Sequence, residues 1–212
     1  MRKKLSALCI GIAAAAAVSS ASYASSMQPS FLGATGSLTT PTGETLPVGS
    51  ISLGYWQSDD SDHKMGAVAF GVAPHVEVSA AHLWAEDDKT FISGKFSLLR
   101  EGAVIPAVAA GVLDIGDERD TTVYLAATKN LPFGFKCTLG YGNGIYDGVF
   151  GSVEKTVSLI PGGDDLFPAT TLVVEYDAED WNYGARLAIA GGAKLTVGHF
   201  YDRTYIGATF VK

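Results

Sequence analysis

From residue 49 onward, apolar and polar residues alternate with a period of two over short stretches, each closed by Gly, Pro, Asn or Asp. The stretches are rich in Val, Ile, Thr and aromatic residues, the types that suit a pleated surface. Strands are predicted at 49–57, 63–72, 75–84, 89–99, 105–114, 120–129, 135–142, 149–158, 169–177, 181–190, 193–200 and 204–212. Gly and β-branched residues recur too often for helical stripes to persist. The expected class is all-β, with about twelve antiparallel strands and ten as the lower bound.

What the two faces of each strand carry decides between a soluble and a membrane barrel. One face is apolar: Ile51, Leu53 and Tyr55; Val68, Phe70 and Val72; Val123 and Leu125; Leu172, Val174 and Tyr176; Tyr183, Leu187 and Ile189. The other is mostly Gly, Ala, Ser and Thr with single charges, namely Glu77, Lys95, Lys136, Glu154, Glu175, Arg186 and Lys194. Turned inward, the small residues let a barrel close and the charges pair across neighbouring strands. The expected pairs are Glu77 with Lys95, Lys136 with Glu154, and Glu175 with Arg186, and they lock strands together rather than line a pore. This inside-out pattern is that of a transmembrane β-barrel. A soluble barrel with the apolar face inward is the alternative, but with 17% charged residues, many of them in turns, its surface would be poor in Lys and Glu.

The connections fall into two alternating series. The odd-numbered ones carry Asp59, Asp60 and Asp62, then Glu86, Asp87 and Asp88, Asp117 to Asp120, Tyr146 to Gly148, Asp177, Glu179 and Asp180, and Asp202. The even-numbered ones are Gly/Pro turns, with Asp164 and Asp165 the exception. An even strand count puts both termini at one end, which is periplasmic in bacterial barrels, so the acidic loops face outward. Trp84, Trp181 and Tyr183 lie beside acidic loops on the apolar face, where an interfacial belt places them; Trp56 has the opposite parity.

The N-terminus adds the compartment. Arg2, Lys3 and Lys4 precede an apolar run from Leu5 to Val18 and a small-residue stretch ending at Ala24, the layout of a cleavable signal peptide over residues 1–24. Its loss leaves 12 basic against 22 acidic residues, a net charge of −10, which excludes a basic nucleic-acid footprint. Cys137 then stands alone, so no intramolecular disulfide forms. Residues 25–48 lack the alternation and carry Pro41 and Pro47; they are either a plug in the periplasmic mouth or a disordered leader. Residues 49–212 form the barrel.

No catalytic or cofactor chemistry is expected. His63, His75, His82 and His199 show no metal-ligand spacing, and neither His75 nor His82 is followed by the Ser and Asn of a barrel phospholipase. Gly140–Gly144 lacks the Lys-Ser/Thr of a phosphate loop and lies between two strands. The acidic loops could bridge to lipopolysaccharide phosphates through divalent cations, but solvated loops are the simpler reading.

Three patches carry a family resemblance. Residues 33–50 (GATGSLTTPTGETLPVGS) resemble the opening of the YjbH-like family of outer-membrane barrels associated with exopolysaccharide production. Residues 150–154 (FGSVE) with 175–186 (EYDAEDWNYGAR) are similar to that family's strand, acidic turn, strand unit, and residues 70–78 (FGVAPHVEV) extend the likeness. Many family members are longer, so this chain would be a short version. The resemblance implies a non-enzymatic outer-membrane barrel in exopolysaccharide secretion or cell-surface organisation. Its implied partners are outer-membrane lipids and lipopolysaccharide, the assembly machinery that reads the alternating last strand Tyr205–Val211, and exopolysaccharide or its secretion components. A small passive channel, and then a soluble periplasmic β-protein, are the alternatives.

Overall fold

The computed structural model describes residues 27–157 and 169–212. The predicted signal peptide and the turn bearing Asp164 and Asp165 lie outside the described residues.

Twelve strands form one closed antiparallel barrel: β1 (Ile51–Ser58), β2 (Lys64–Ala73), β3 (Val76–Trp84), β4 (Lys89–Leu99), β5 (Ala107–Leu113), β6 (Thr122–Leu131), β7 (Phe135–Gly142), β8 (Gly148–Val157), β9 (Thr170–Tyr176), β10 (Trp181–Ala190), β11 (Ala193–Phe200) and β12 (Arg203–Val211). Each strand pairs with its chain neighbours, and β1 closes on β12 with Leu53 opposite Phe210 and Gln57 opposite Ile206. Their bounds follow the alternation closely, because side-chain parity and Gly/Pro turns specify both face and ends. Closure leaves no open sheet edge.

The connections β1–β2, β3–β4, β5–β6, β7–β8, β9–β10 and β11–β12 gather at one end, the acidic end. The connections β2–β3, β4–β5, β6–β7 and β10–β11 and both chain ends of the barrel lie at the base. Two-residue turns are set by positive φ: Gly191 and Gly192 at the base, and Tyr201 (51°) and Asp202 (56°) at the acidic end. Such a turn matches the strand twist but suits Gly and Asp better than Tyr. Tyr201 is held there by its ring, which packs against Phe31 and Phe200.

The apolar face points out. Leu53, Phe70, Ile92, Phe96, Val123, Leu125, Leu139, Val153, Leu172, Val174, Tyr183 and Ile206 are all exposed. The inward face holds Ser52, Ala69, Ser79, Ser93, Ala109, Ala126, Thr138 and Ser152, all buried. Near the acidic end the inward face departs from the expected small residues: Trp56, Phe91, Tyr124, Phe150, Phe200 and Tyr205 fill the interior. Wall glycines make room for these rings. A Cβ on Gly140 would sit 2.1 Å from the Phe150 ring, and one on Gly111 2.4 Å from the Tyr124 hydroxyl.

Residues 28–44 are buried without exception, inside the barrel. Their backbone bonds within itself: Phe31 N–H donates to Leu38 O, Gly36 N–H to Gln28 O, Ser37 N–H to Thr40 O, and Thr42 N–H to Thr35 O. Phe31 reaches the acidic end, packing 4.9 Å from Tyr205 and 5.8 Å from Trp56 between ring centroids. Leu46 packs near the base with Ala69 and Val211. The chain leaves the lumen through Pro47, Val48 and Gly49, which are exposed at the base.

The occupied lumen as candidate functional site

The inward charges meet the inserted segment more than they meet one another. Glu175 is fully buried at the end of β9, and its two oxygens collect donors from one stretch of that segment. Oε2 accepts from Leu38 N (3.0 Å), Thr40 N (3.2 Å) and Thr40 Oγ1 (2.8 Å). Oε1 accepts from Thr39 N (2.9 Å), Thr39 Oγ1 (2.5 Å) and Asn182 Nδ2 (3.3 Å). A carboxylate suits this position because Pro, Gly and Thr leave the segment with amides that no ladder satisfies, and a buried amide without an acceptor is costly.

Glu77, on β3 near the base, plays the same part lower down. It accepts from Thr35 N (2.7 Å), Thr35 Oγ1 (2.5 Å) and Leu46 N (2.9 Å). Lys95, directly across from it on β4, stands 3.9 Å away and donates instead to the carbonyls of Thr35 (2.5 Å) and Glu44 (2.8 Å). The Lys136–Glu154 pair is spread in the same way. These side chains are 3.9 Å apart, while Lys136 Nζ lies 2.9 Å from the carboxylate of Glu44, which the segment supplies.

Glu175 and Arg186 do not pair, a correction to the sequence-based expectation. The β9–β10 register sets Glu175 against Asn182 and Arg186 against Thr171. Arg186 instead bonds Glu154 Oε2 at 3.0 Å, and the Gln28 amide beside it can accept from the guanidinium only with its oxygen, not its nitrogen, turned toward it. Lys194, half-buried on β11, faces Glu154 and Arg186 in the same interior.

The acidic loops divide. Asp59, Asp60, Asp62, Glu86, Asp87, Asp88, Glu179 and Asp180 are exposed. The Ser58 hydroxyl, helped by the Asp62 amide and Arg203, holds the Asp60 carboxyl below its ordinary value. Asp177 is the exception: it is buried, sharing the inward parity of Glu175, and accepts from Asn182 Nδ2 (2.8 Å) and the amides of Glu179 and Asp180. Asp114 does similar work in the β5–β6 connection, accepting from the amides of Glu118, Arg119 and Asp120. Trp84, Trp181 and Tyr183 are exposed on the outer face near the acidic end, whereas Trp56 points inward.

Glu44, Asn182, Tyr146 and the threonines 35, 39 and 40 were not marked by the alternation, yet they complete the network. Tyr146, in the β7–β8 connection, donates to Thr39 O at 2.8 Å, and burial pushes its hydroxyl well above the ordinary tyrosine range. Gly43 N–H donates to Thr128 Oγ1 at 2.8 Å. Beside the segment at the base a cavity of about 310 Å³ is lined by Met27, Glu44, Leu46, Pro74, His75 and Arg100 among others. Among the described residues no cluster of His, Cys, Asp and Glu is arranged to hold a metal ion.

Comparison with solved structures places the architecture among porins. The KdgM porin superposes with a TM-score of 0.51 at 12% identity, covering 76% of this chain and 98% of the porin. A KdgM porin in complex with disordered oligogalacturonate gives 0.49 at 12% identity over the same shares. The Acinetobacter baumannii outer membrane protein Omp33 gives 0.44 at 13% identity, over 76% of this chain and 96% of that one. At these identities the first likeness shows the fold alone. No curated protein matches the chain. The model of one family, described as exopolysaccharide biosynthesis protein YbjH, matches residues 28–158, from the inserted segment through β8, and the chain therefore belongs to the YjbH family.

Proposed function

We propose that the protein is a non-enzymatic outer-membrane barrel serving exopolysaccharide secretion or cell-surface organisation, with the acidic end outward and the base in the periplasm. The observation that carries this reading is a lumen occupied by the chain's own residues 28–46 inside a wall whose apolar side faces out. Apolar residues exposed around a whole barrel need a hydrocarbon surround, since water disfavours so continuous a band. An occupied lumen favours a component of an assembly over an open pore, and the family description supplies the polysaccharide. In this reading residues 1–24 direct export and are removed, and β12 presents the segment that the assembly machinery takes up.

The test combines location with phenotype. The protein should fractionate with the outer membrane and migrate differently before and after boiling, and its deletion should lower secreted polysaccharide, restored by the wild-type copy. Recovery from the soluble periplasm without a mobility shift would refute the membrane assignment. Unchanged polysaccharide on deletion would refute the role. The porin-like architecture favours a second reading, a small passive channel, for which the unmodified protein would conduct in a planar bilayer.

A further inference from the structure

The inserted segment is built as a separable body. Among the described residues its backbone-to-backbone hydrogen bonds run within residues 28–42, whereas the wall ladder closes from β1 to β12 without it. Wall and segment meet through wall side chains, and both ends of the segment lie at the base. The wall therefore keeps its backbone pairing if the segment leaves.

The groups the wall uses to hold it describe a ligand class. Glu77 and Glu175 receive hydroxyl donors from Thr35, Thr39 and Thr40 at 2.5 to 2.8 Å. Lys136 receives a carboxylate, that of Glu44, at 2.9 Å. Aromatic rings of Tyr124, Phe150 and Tyr205 line the same interior. Without Glu44 the interior would set Lys95, Lys136, Arg186 and Lys194 against Glu77, Glu154, Glu175 and Asp177, and Lys136 would lose the carboxylate that lies 2.9 Å from it. Hydroxyls, a carboxylate and faces that stack on rings together are the chemistry of an acidic polyhydroxylated glycan.

We propose that residues 28–46 are an autoinhibitory stand-in for such a glycan, and that the lumen binds an acidic glycan chain once the segment is displaced toward the base. The proposal rests on the polysaccharide reading above and adds the substrate class and the site.

The test leaves folding to the intact chain. A protease recognition sequence is inserted after the exposed Val48, the protein is folded and inserted in a planar bilayer, and the tether is then cut. Oligomannuronate should release the segment and open discrete conductance steps. Maltohexaose should need about a ten-fold higher concentration, the worth of one charge-assisted hydrogen bond. Lys136→Gln should abolish that preference while conductance still opens. Retention of the cut segment at every glycan concentration, or release without conductance, would overturn the proposal; equal release by both glycans would overturn the acidic class. Because this test uses purified protein, its failure would leave the deletion phenotype standing, and a missing phenotype would leave these bilayer results standing.

Discussion

Replacing Glu175 by Gln changes one atom in the most heavily bonded side chain of the lumen. Each carboxylate oxygen faces three donors, and two of the three on Oε2, together with one on Oε1, are backbone amides that cannot turn away. Whichever oxygen becomes NH2 is set against donors. The threonine hydroxyls can turn to accept from the new NH2, but if it replaces Oε2 the amides of Leu38 and Thr40 lose their acceptor, and if it replaces Oε1 the Thr39 amide and the Asn182 side-chain amide do. Two charge-assisted bonds are thus lost in either orientation, at about 1.5–3 kcal/mol each, or about 3–6 kcal/mol in all. The remaining bonds also weaken, because the acceptor is no longer charged.

That energy holds the segment in place rather than the wall, so the effect should be local. Hydrogen exchange of the Leu38, Thr39 and Thr40 amides, followed by mass spectrometry in detergent, should accelerate by about 10²- to 10⁴-fold, since about 1.4 kcal/mol is a factor of ten. Amides in β5, on another part of the wall, should exchange as before, and the unboiled protein should keep its mobility. Thr40→Val removes one hydroxyl but no amide acceptor, and should give the smaller change. Exchange of residues 38–40 within ten-fold of the wild type would show that Glu175 does not hold the segment.

Lys136→Met leaves Glu44 and Glu154 facing each other without their shared cation and should destabilise by about 3–5 kcal/mol, measured as the urea midpoint for loss of the heat-modifiable form; adding Glu44→Gln should recover part of it. Leu139→Arg places a charge midway along β7 on the outer face, where the leucine is 64% exposed, and should cost about 2–4 kcal/mol in lipid vesicles, against almost nothing at the exposed Asp87. Gly43→Ala brings a Cβ to 2.4 Å from the Ala107 carbonyl oxygen, backbone that cannot yield, so residues 43–46 should become protease-sensitive while the barrel remains heat-modifiable. Glu101 lies in the β4–β5 connection; burial raises its pKa, but bonds from Lys129 and Asn130 outweigh that and hold it below the ordinary glutamate value. Its contribution is therefore full above the unfolded pKa and lost as pH falls through the lower folded one, so the melting difference between wild type and Glu101→Gln should vanish on acidification through that window.

The wall was legible in the sequence because each of its strands obeys one rule: side-chain parity fixes the face, and Gly, Pro or Asp marks the end. The same rule could have found Asp177, two positions after Glu175 and therefore on the inward face, despite its place in an acidic turn. Pairing needed more than parity. Arg186 is four residues further along β10 than Asn182, and only the tight Asp177–Asp180 connection fixes which of them meets Glu175. The segment before residue 48 has no period to read, so Glu44 and the three threonines carried no signal of their own. Nor did the alternation separate large inward rings from small ones; the glycines at 111 and 140, each beside a buried ring, were the available mark.

Wall and segment also explain each other's oddities. A charge alone on an otherwise small-residue strand is costly inside a barrel, and a buried stretch of Gly, Pro and Thr that forms no ladder is costly for its unpaired amides. Combined, each supplies what the other lacks: Glu77 and Glu175 accept the segment's amides and hydroxyls, Lys95 donates to its carbonyls, and Glu44 neutralises Lys136. Strand-locking alone accounts poorly for charges whose direct partners stand 3.9 Å apart across both neighbouring pairs. Their spacing fits a wall shaped around a chain between them, and that chain is at present the protein's own.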